Sequence, residues 1–287
     1  MRTGIAFVLL GIALPLNCGP ACGADDPATP IRPEQGTIQL FNGKDKSGLY
    51  TWLRKSRCDD PKHVFTIHDG MIHVSGEDDG YIATNRLYRD YHLIVEYRWG
   101  EKTYGSKTVR NSGILLHGVG PDGNANGTWL SCIECQLAQG CVGDLIPIRG
   151  KDRKGETIPV QLTSDVVLGP DRRARWKAGG QPRVFTQRQL WWSLHDPDYK
   201  ELIDTRGKND VESRLGEWTR VDCICEGRAI TVQVNSTTVN RSYDVYPSAG
   251  KILLQSEGFE IFFRKFELQP LVRANSQPPN PSTSGKH

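Results

Sequence analysis

Methionine is nearly absent: the 287-residue chain has two. A Met-rich, adaptable contact surface is therefore excluded. Net charge is small as well, +3 from 36 basic and 33 acidic side chains. That excludes nucleic-acid binding through bulk charge, and no nucleic-acid partner is expected. The most apolar stretch, Ile5 to Leu16, falls short of the roughly 20 residues that span a bilayer. No transmembrane segment is expected. Sustained 3.6-residue periodicity is missing, which rules out a helical bundle. Cys132-x-x-Cys135 has no second pair at matching spacing, which argues against a zinc knuckle.

What is present points to strands. Thirty glycines and 17 prolines supply turns for many short elements. A hydrophobic share of 37% is enough for a packed core. At the start, Arg2, the apolar run and small residues up to Ala24 follow the order of a secretory signal. Residues 1–24 are read as that signal, and 25–36 (DDPATPIRPEQG) as a linker. Residues 37–273 form the folded domain, and 274–287 a disordered polar tail. The product is expected in the periplasm or outside the cell. Cys58, Cys132, Cys135, Cys141, Cys223 and Cys225 lie beyond the signal. One or two disulfides are expected, tying Cys58 or Cys141 to another loop, with Cys223 and Cys225 as buried thiols.

Alternation of apolar and polar residues recurs along the body. VFTIHDGMIHV (64–74) is two runs around Asp69-Gly70, a two-residue hairpin signal. YHLIVEYRW (91–99) turns Leu93, Val95 and Tyr97 to one face. RVDCICEG and RAITVQVNS pair across Gly227, and KILLQSEG and FEIFFRKFELQP are expected to pair across Gly258. Ten or more strands in one domain predict an all-β sandwich or jelly roll.

One sheet face is chemically unusual. In WLSCIECQL (129–137), Ile133, Cys135 and Leu137 point one way and Cys132, Glu134 and Gln136 the other. In RNSGILLH (110–117), Asn111, Gly113, Leu115 and His117 share a face. Gly113 within a strand leaves room for a ligand. Aligned polar groups of this kind fit a sugar cleft or a solvated sheet face.

These segments resemble a bacterial family of 3-keto-disaccharide hydrolases, also named 3-keto-glycoside 1,2-lyase/3-keto-2-hydroxy-glucal hydratases. LFNGKDKSGLYTW (40–52), GYIATNRLYRDYHLIVEYRW (80–99), RNSGILLH, IECQL, GEWTRVDCICEGRAITVQVNS (216–236) and GKILLQSEGFEIFFRKFEL (250–268) are similar to its motifs, in its order. The resemblance implies a concanavalin A-like lectin/glucanase jelly roll of two antiparallel sheets. It also implies cleavage of glycosides oxidised to a ketone at the third sugar carbon. The ketone acidifies the neighbouring C2 proton, a base removes it, and the enolate expels the aglycone. Such a site needs a base, an enolate stabiliser and an acid.

On this footing Glu134, His117 and Arg110 are the catalytic candidates. Glu134 is read as base or hydroxyl acceptor, and Arg110 with Asn111 as enolate stabilisers. His117 stands where many relatives have Arg. It is an acid or base, a divalent-cation ligand beside Glu134, or a structural histidine. Asn111, Gln136, Tyr81, Lys107 and Gln255 are the substrate-binding candidates. The residues specify no particular cofactor, and a divalent cation is an option. Glu257 stands where many relatives carry His. The segment 141–215 is poorly covered by the resemblance. Within it, residues 149–183 carry nine Lys/Arg and four Asp/Glu. Its RRARWK run (172–177) reads as a solvated loop or an anionic-glycan contact. Trp191, Trp192, His195 and Tyr199 read as a sugar wall or as anchors of the insertion. Three functions follow: a 3-keto-glycoside lyase or hydrolase, a non-catalytic carbohydrate-binding module, or a partner-binding domain.

Overall fold

The computed structural model describes residues 29–105 and 108–272. The signal at 1–24, residues 25–28, Lys107 and the tail from 274 lie outside the described residues. The described residues form strands and no helix. In chain order the first six are β1 (Ile38–Gln39), β2 (Leu49–Leu53), β3 (Phe65–His68), β4 (Met71–Val74), β5 (Gly80–Thr84) and β6 (Tyr91–Thr103). Next come β7 (Gly113–Val119), β8 (Ser131–Gln136), β9 (Leu145–Ile148), β10 (Gln161–Leu168), β11 (Ala174–Trp176) and β12 (Gln181–Phe185). The last are β13 (Thr219–Glu226), β14 (Ala229–Val234), β15 (Thr237–Tyr246), β16 (Lys251–Ser256) and β17 (Phe259–Gln269).

They build two antiparallel sheets. The larger runs β11-β10-β15-β14-β13-β6-β17-β4-β3, with β1 on β17 and β12 on β10. The smaller runs β2-β5-β16-β7-β8-β9. This is the all-β sandwich that the alternation predicts. Leu93, Val95 and Tyr97 of β6 and Val221 and Cys223 of β13 share one core with Ile114, Leu116, Ile133 and Cys135 of the smaller sheet. Each such aliphatic side chain contributes about 1.5–3 kcal/mol on full burial.

The turns follow local chemistry. Asp69 and Gly70 both have positive φ, 49° and 74°, as a two-residue turn of the favoured hand requires. They join β3 to β4 with Ile67 opposite Ile72. Gly227 likewise joins β13 to β14. Gly258 does not join a pair. Both edges of β16 are taken by β5 and β7, so the chain crosses to the other sheet and β17 inserts between β6 and β4. Upstream, Ile31 bonds the backbone at Leu87 and Arg89.

The basic segment is built into the fold. It supplies β9 to the smaller sheet and β10 to β12 to the larger. Arg175 is buried and clamps Asp171 through both guanidinium ends, at 2.7 and 2.8 Å. Arg173 lies over the Trp191 ring, 4.0 Å from its centroid, and contacts His195 Nε2. Trp192 is 2% exposed and donates its indole N–H to the Gly140 carbonyl. Trp192 and His195 therefore anchor the insertion. Asp144 holds the backbone N–H of Trp192 from full burial, which pushes its carboxyl up to about 8. Cys132, Cys135, Cys141, Cys223 and Cys225 are free, buried thiols, and Cys58 is in a disulfide. Cys141 thus staples no loop: it is packed as an apolar side chain.

Candidate functional site

The outward face of the smaller sheet collects the polar groups. Trp52 pairs with Tyr81, and Tyr81 with Gln255. Gly113 pairs with Gln136, and Leu115 with Glu134. These residues come from five adjacent strands, so side chains distant in sequence stand in one row. Gly113 makes the notch that its place in a strand predicts. A Cβ at residue 113 would lie 2.5 Å from Gln255 Oε1 and 2.6 Å from Glu134 Oε1. Two acceptor oxygens thus converge over a missing side chain.

Acceptors held this way attract donors. Gln255 is 1% exposed, and its Oε1 has no hydrogen-bond partner among the described residues. Asn111 Oδ1 is likewise buried without one. Its segment continues the β7 ladder, since Leu137 N–H donates to the Ser112 carbonyl and Gln139 N–H to that of Arg110. Alternation therefore keeps Asn111 on the side of Gly113. An unmet buried acceptor costs about 1–3 kcal/mol, a cost that a hydroxyl-bearing ligand relieves. Glu134 is 6% exposed. Its carboxylate, after burial, helps push the Cys132 thiol far up.

Beside the notch, the candidate Tyr81 is joined by Tyr50, Asp122 and Lys251, which sequence reading missed. Tyr81 OH donates to Asp122 Oδ1 at 2.6 Å, and Tyr50 OH donates to the same oxygen at 2.7 Å. Lys251 Nζ donates to Tyr50 OH at 2.9 Å and sits 4.4 Å from that ring's centroid. The two phenol rings meet edge-on at 6.4 Å. Burial first, then Tyr50 and Asp122, push the Tyr81 hydroxyl far up. Tyr81 thus remains a protonated donor at ordinary pH. A signal existed in Tyr50 and Trp52, which alternate on β2 within LYTWL. Asp122 and Lys251 gave none, because only the folded register brings them here.

Several sequence candidates fall elsewhere. His117 leaves the shared face: pairing slips between Leu116 and Val119, and His117 takes a φ of 58°. Its ring turns inward against Tyr91, centroids 5.7 Å apart, and Nδ1–H donates to the Pro247 carbonyl at 3.0 Å. Full burial outweighs that bond and pulls the imidazole down to about 4. It is a neutral core histidine, on the opposite side of the sheet from Glu134, so the two do not form a cation pair. Arg110 also points away from Gly113. It donates to the Gly100 carbonyl and forks onto Asp204 at 2.7 and 3.3 Å. Gln136 stays on the outward face, but its Oε1 accepts the backbone N–H groups of Leu137 and Ala138. Lys107 lies outside the described residues. Among the described residues, no group of three or more His, Cys, Asp and Glu gathers to hold a metal.

Solved structures align with the chain at low identity. A candidate glycosyl hydrolase from Parabacteroides distasonis ATCC 8503 is 14% identical, with 83% of this chain and 94% of that chain covered and a TM-score of 0.47. The carbohydrate-binding module CBM66 from Bacillus subtilis is 8% identical, with 77% and 94% covered and a TM-score of 0.43. A β-glucanase of Bacillus licheniformis is 8% identical, with 83% and 99% covered and a TM-score of 0.41. No curated protein matches the chain. The profile of the 3-keto-alpha-glucoside-1,2-lyase-like domain matches residues 36–269, and the chain belongs to that family.

Proposed function

We propose that this protein cleaves glycosides that carry a ketone at the third sugar carbon. The observation that carries the reading is the Gly113 notch, where the oxygens of Glu134 and Gln255 converge on an outward sheet face. Family membership supports the substrate class. Glu134 takes the C2 proton, and the electron pair passes to the ketone oxygen as an enolate. The C1–O bond then breaks, and the leaving oxygen takes the proton that Glu134 acquired, which restores the carboxylate. Water adds across the new C1–C2 double bond, giving net hydrolysis. Gln255 and Asn111 accept hydrogen bonds from sugar hydroxyls, and Tyr81 and Tyr50, both donating to Asp122, form the polar wall beside them. The carboxylate pair of ordinary glycosidases is not required.

Incubation with a 3-keto aryl glucoside tests this. The aryl alcohol is released, while the same glucoside without the ketone stays intact. Glu134→Gln lowers the rate by about 100-fold or more, as loss of a general base does. Binding of the keto-sugar with no release, by the native protein, favours the non-catalytic module instead. The Glu257 departure is the observation on that side.

Export belongs to the same proposal. Its supports are Arg2, the apolar run to Leu16 and the small residues up to Ala24. Cell fractionation of the full chain checks it, with recovery in the cytosol at full mass as the contrary result.

A further inference from the structure

The outward face of the larger sheet carries a second cleft that the proposed reaction does not use. It measures about 530 Å³ and is lined by Arg98, Lys102, Glu101, Leu215, Glu260 and the Phe262 edge, among others. That volume lies within the range of small-ligand sites, about 300–1,000 Å³.

Arg98 is its centre. Its guanidinium lies between two rings, 5.0 Å from the Trp218 centroid and 5.5 Å from that of Phe262. Each ring also has a second neighbour. His73 stacks on Phe262 at 4.7 Å, and Arg264 lies over Trp218 at 4.4 Å. The five groups form a continuous stack across β4, β17, β6 and the start of β13. Two aromatic rings thus hold the guanidinium in place, and its N–H groups remain donors. The neighbouring carboxylates are engaged elsewhere. Glu96 holds Arg264 at 2.6 Å and Lys265 at 3.7 Å. Glu260 takes His73 and the N–H groups of Glu101 and Lys102. Arg98 is thus a fixed donor fork with no carboxylate of its own among the described residues.

Charge decides the ligand class. Two cations, Arg98 and Lys102, face two carboxylates, Glu101 and Glu260, so the cleft is formally balanced. A balanced cleft has no net attraction for an anion, but it offers both donors and acceptors to a neutral polyol. Arg98 matches two adjacent hydroxyls with its fork, and exposed Glu101 accepts a hydrogen bond from a hydroxyl. Leu215, 49% exposed, and the Phe262 edge give the apolar contact a pyranose ring needs. We propose that this cleft binds a neutral pyranoside chain through a vicinal diol, away from the Gly113 notch.

The test is NMR titration of the full chain with cellotriose and maltotriose, following the Arg98 side-chain N–H and the Trp218 indole N–H. At least one trisaccharide should move both signals saturably, with a Kd of about 1 mM. Arg98→Met and Arg98→Lys should each weaken that binding by about tenfold or more. Glu134→Gln should leave it unchanged. Sodium glucuronate and sodium sulfate are the anion arms. No saturable shift up to about 20 mM trisaccharide, equal binding by a folded Arg98→Met protein, or tighter binding of the anions would each overturn the proposal. If neither Arg98 variant folds, Lys102→Met and Leu215→Ala carry the test, with weaker binding expected from both and unchanged binding by both refuting it. The binding readout does not depend on aglycone release, so failure of the proposed reaction leaves it standing.

Discussion

Replacing Gly113 with Ala puts a methyl group into the notch. The new carbon would meet Gln255 Oε1 at 2.5 Å and Glu134 Oε1 at 2.6 Å, both inside van der Waals contact. Neither obstacle is backbone, so the side chains can swing aside and the strand can stay. Overpacking of this kind costs about 1–3 kcal/mol. Loss of glycine's freedom in the unfolded chain returns about 0.4–1 kcal/mol. The net destabilisation is about 1–2 kcal/mol, or a fall in Tm of about 2–8 °C for a domain of this size. Activity should fall much further. Displacing the base by about 1 Å is enough to cost about 100-fold. The assay is aryl-alcohol release from a 3-keto glucoside, run beside a thermal melt. A Gly113→Ala protein with native kcat/KM would refute the assignment of the notch. Total loss of folding would refute the claim that only side-chain ends are displaced.

Three further outcomes follow from buried groups. Full burial holds His117 near 4, below its usual 6.5, so its contribution to stability is present above pH 6.5 and lost as pH falls toward 4. A His117→Gln protein should show a shallower acid loss in urea melts, by up to about 3 kcal/mol at pH 4. Asp144 and Glu212 behave oppositely: burial raises them to about 8 and about 7, so stability falls as pH rises from the ordinary carboxylate range through those values. Asp144→Asn should flatten that alkaline decline. Finally, peptide mass mapping should find Cys132, Cys135, Cys141, Cys223 and Cys225 unmodified by a thiol reagent in the native state, and modified after denaturation, because all five are buried.

Much of the site face was legible from strand alternation alone. It put Glu134 and Gln136 opposite Ile133 and Cys135, and Gly113 beside Asn111, as the fold does. Carried one residue back from Asn111, the same rule turns Arg110 toward the core side, where Asp204 and Gly100 hold it. His117 was not legible, because the slip between Leu116 and Val119 breaks the period just before it counts. Asp204, 94 residues from Arg110, and the Lys251–Tyr50–Asp122 chain depend on long-range register, which local pattern does not carry. The β16–β17 turn failed for a related reason: a glycine marks a reversal, not which strand edges are already occupied.

The central claim is that Glu134 removes the C2 proton of a 3-keto sugar. Proton NMR of a 3-keto glycoside in D2O with the native protein tests it most directly. The C2–H signal should disappear, at the rate of aglycone release or faster, and should persist with Glu134→Gln. Aglycone release from a sugar that keeps its C2 proton, or loss of that proton unchanged by Glu134→Gln, would contradict the account.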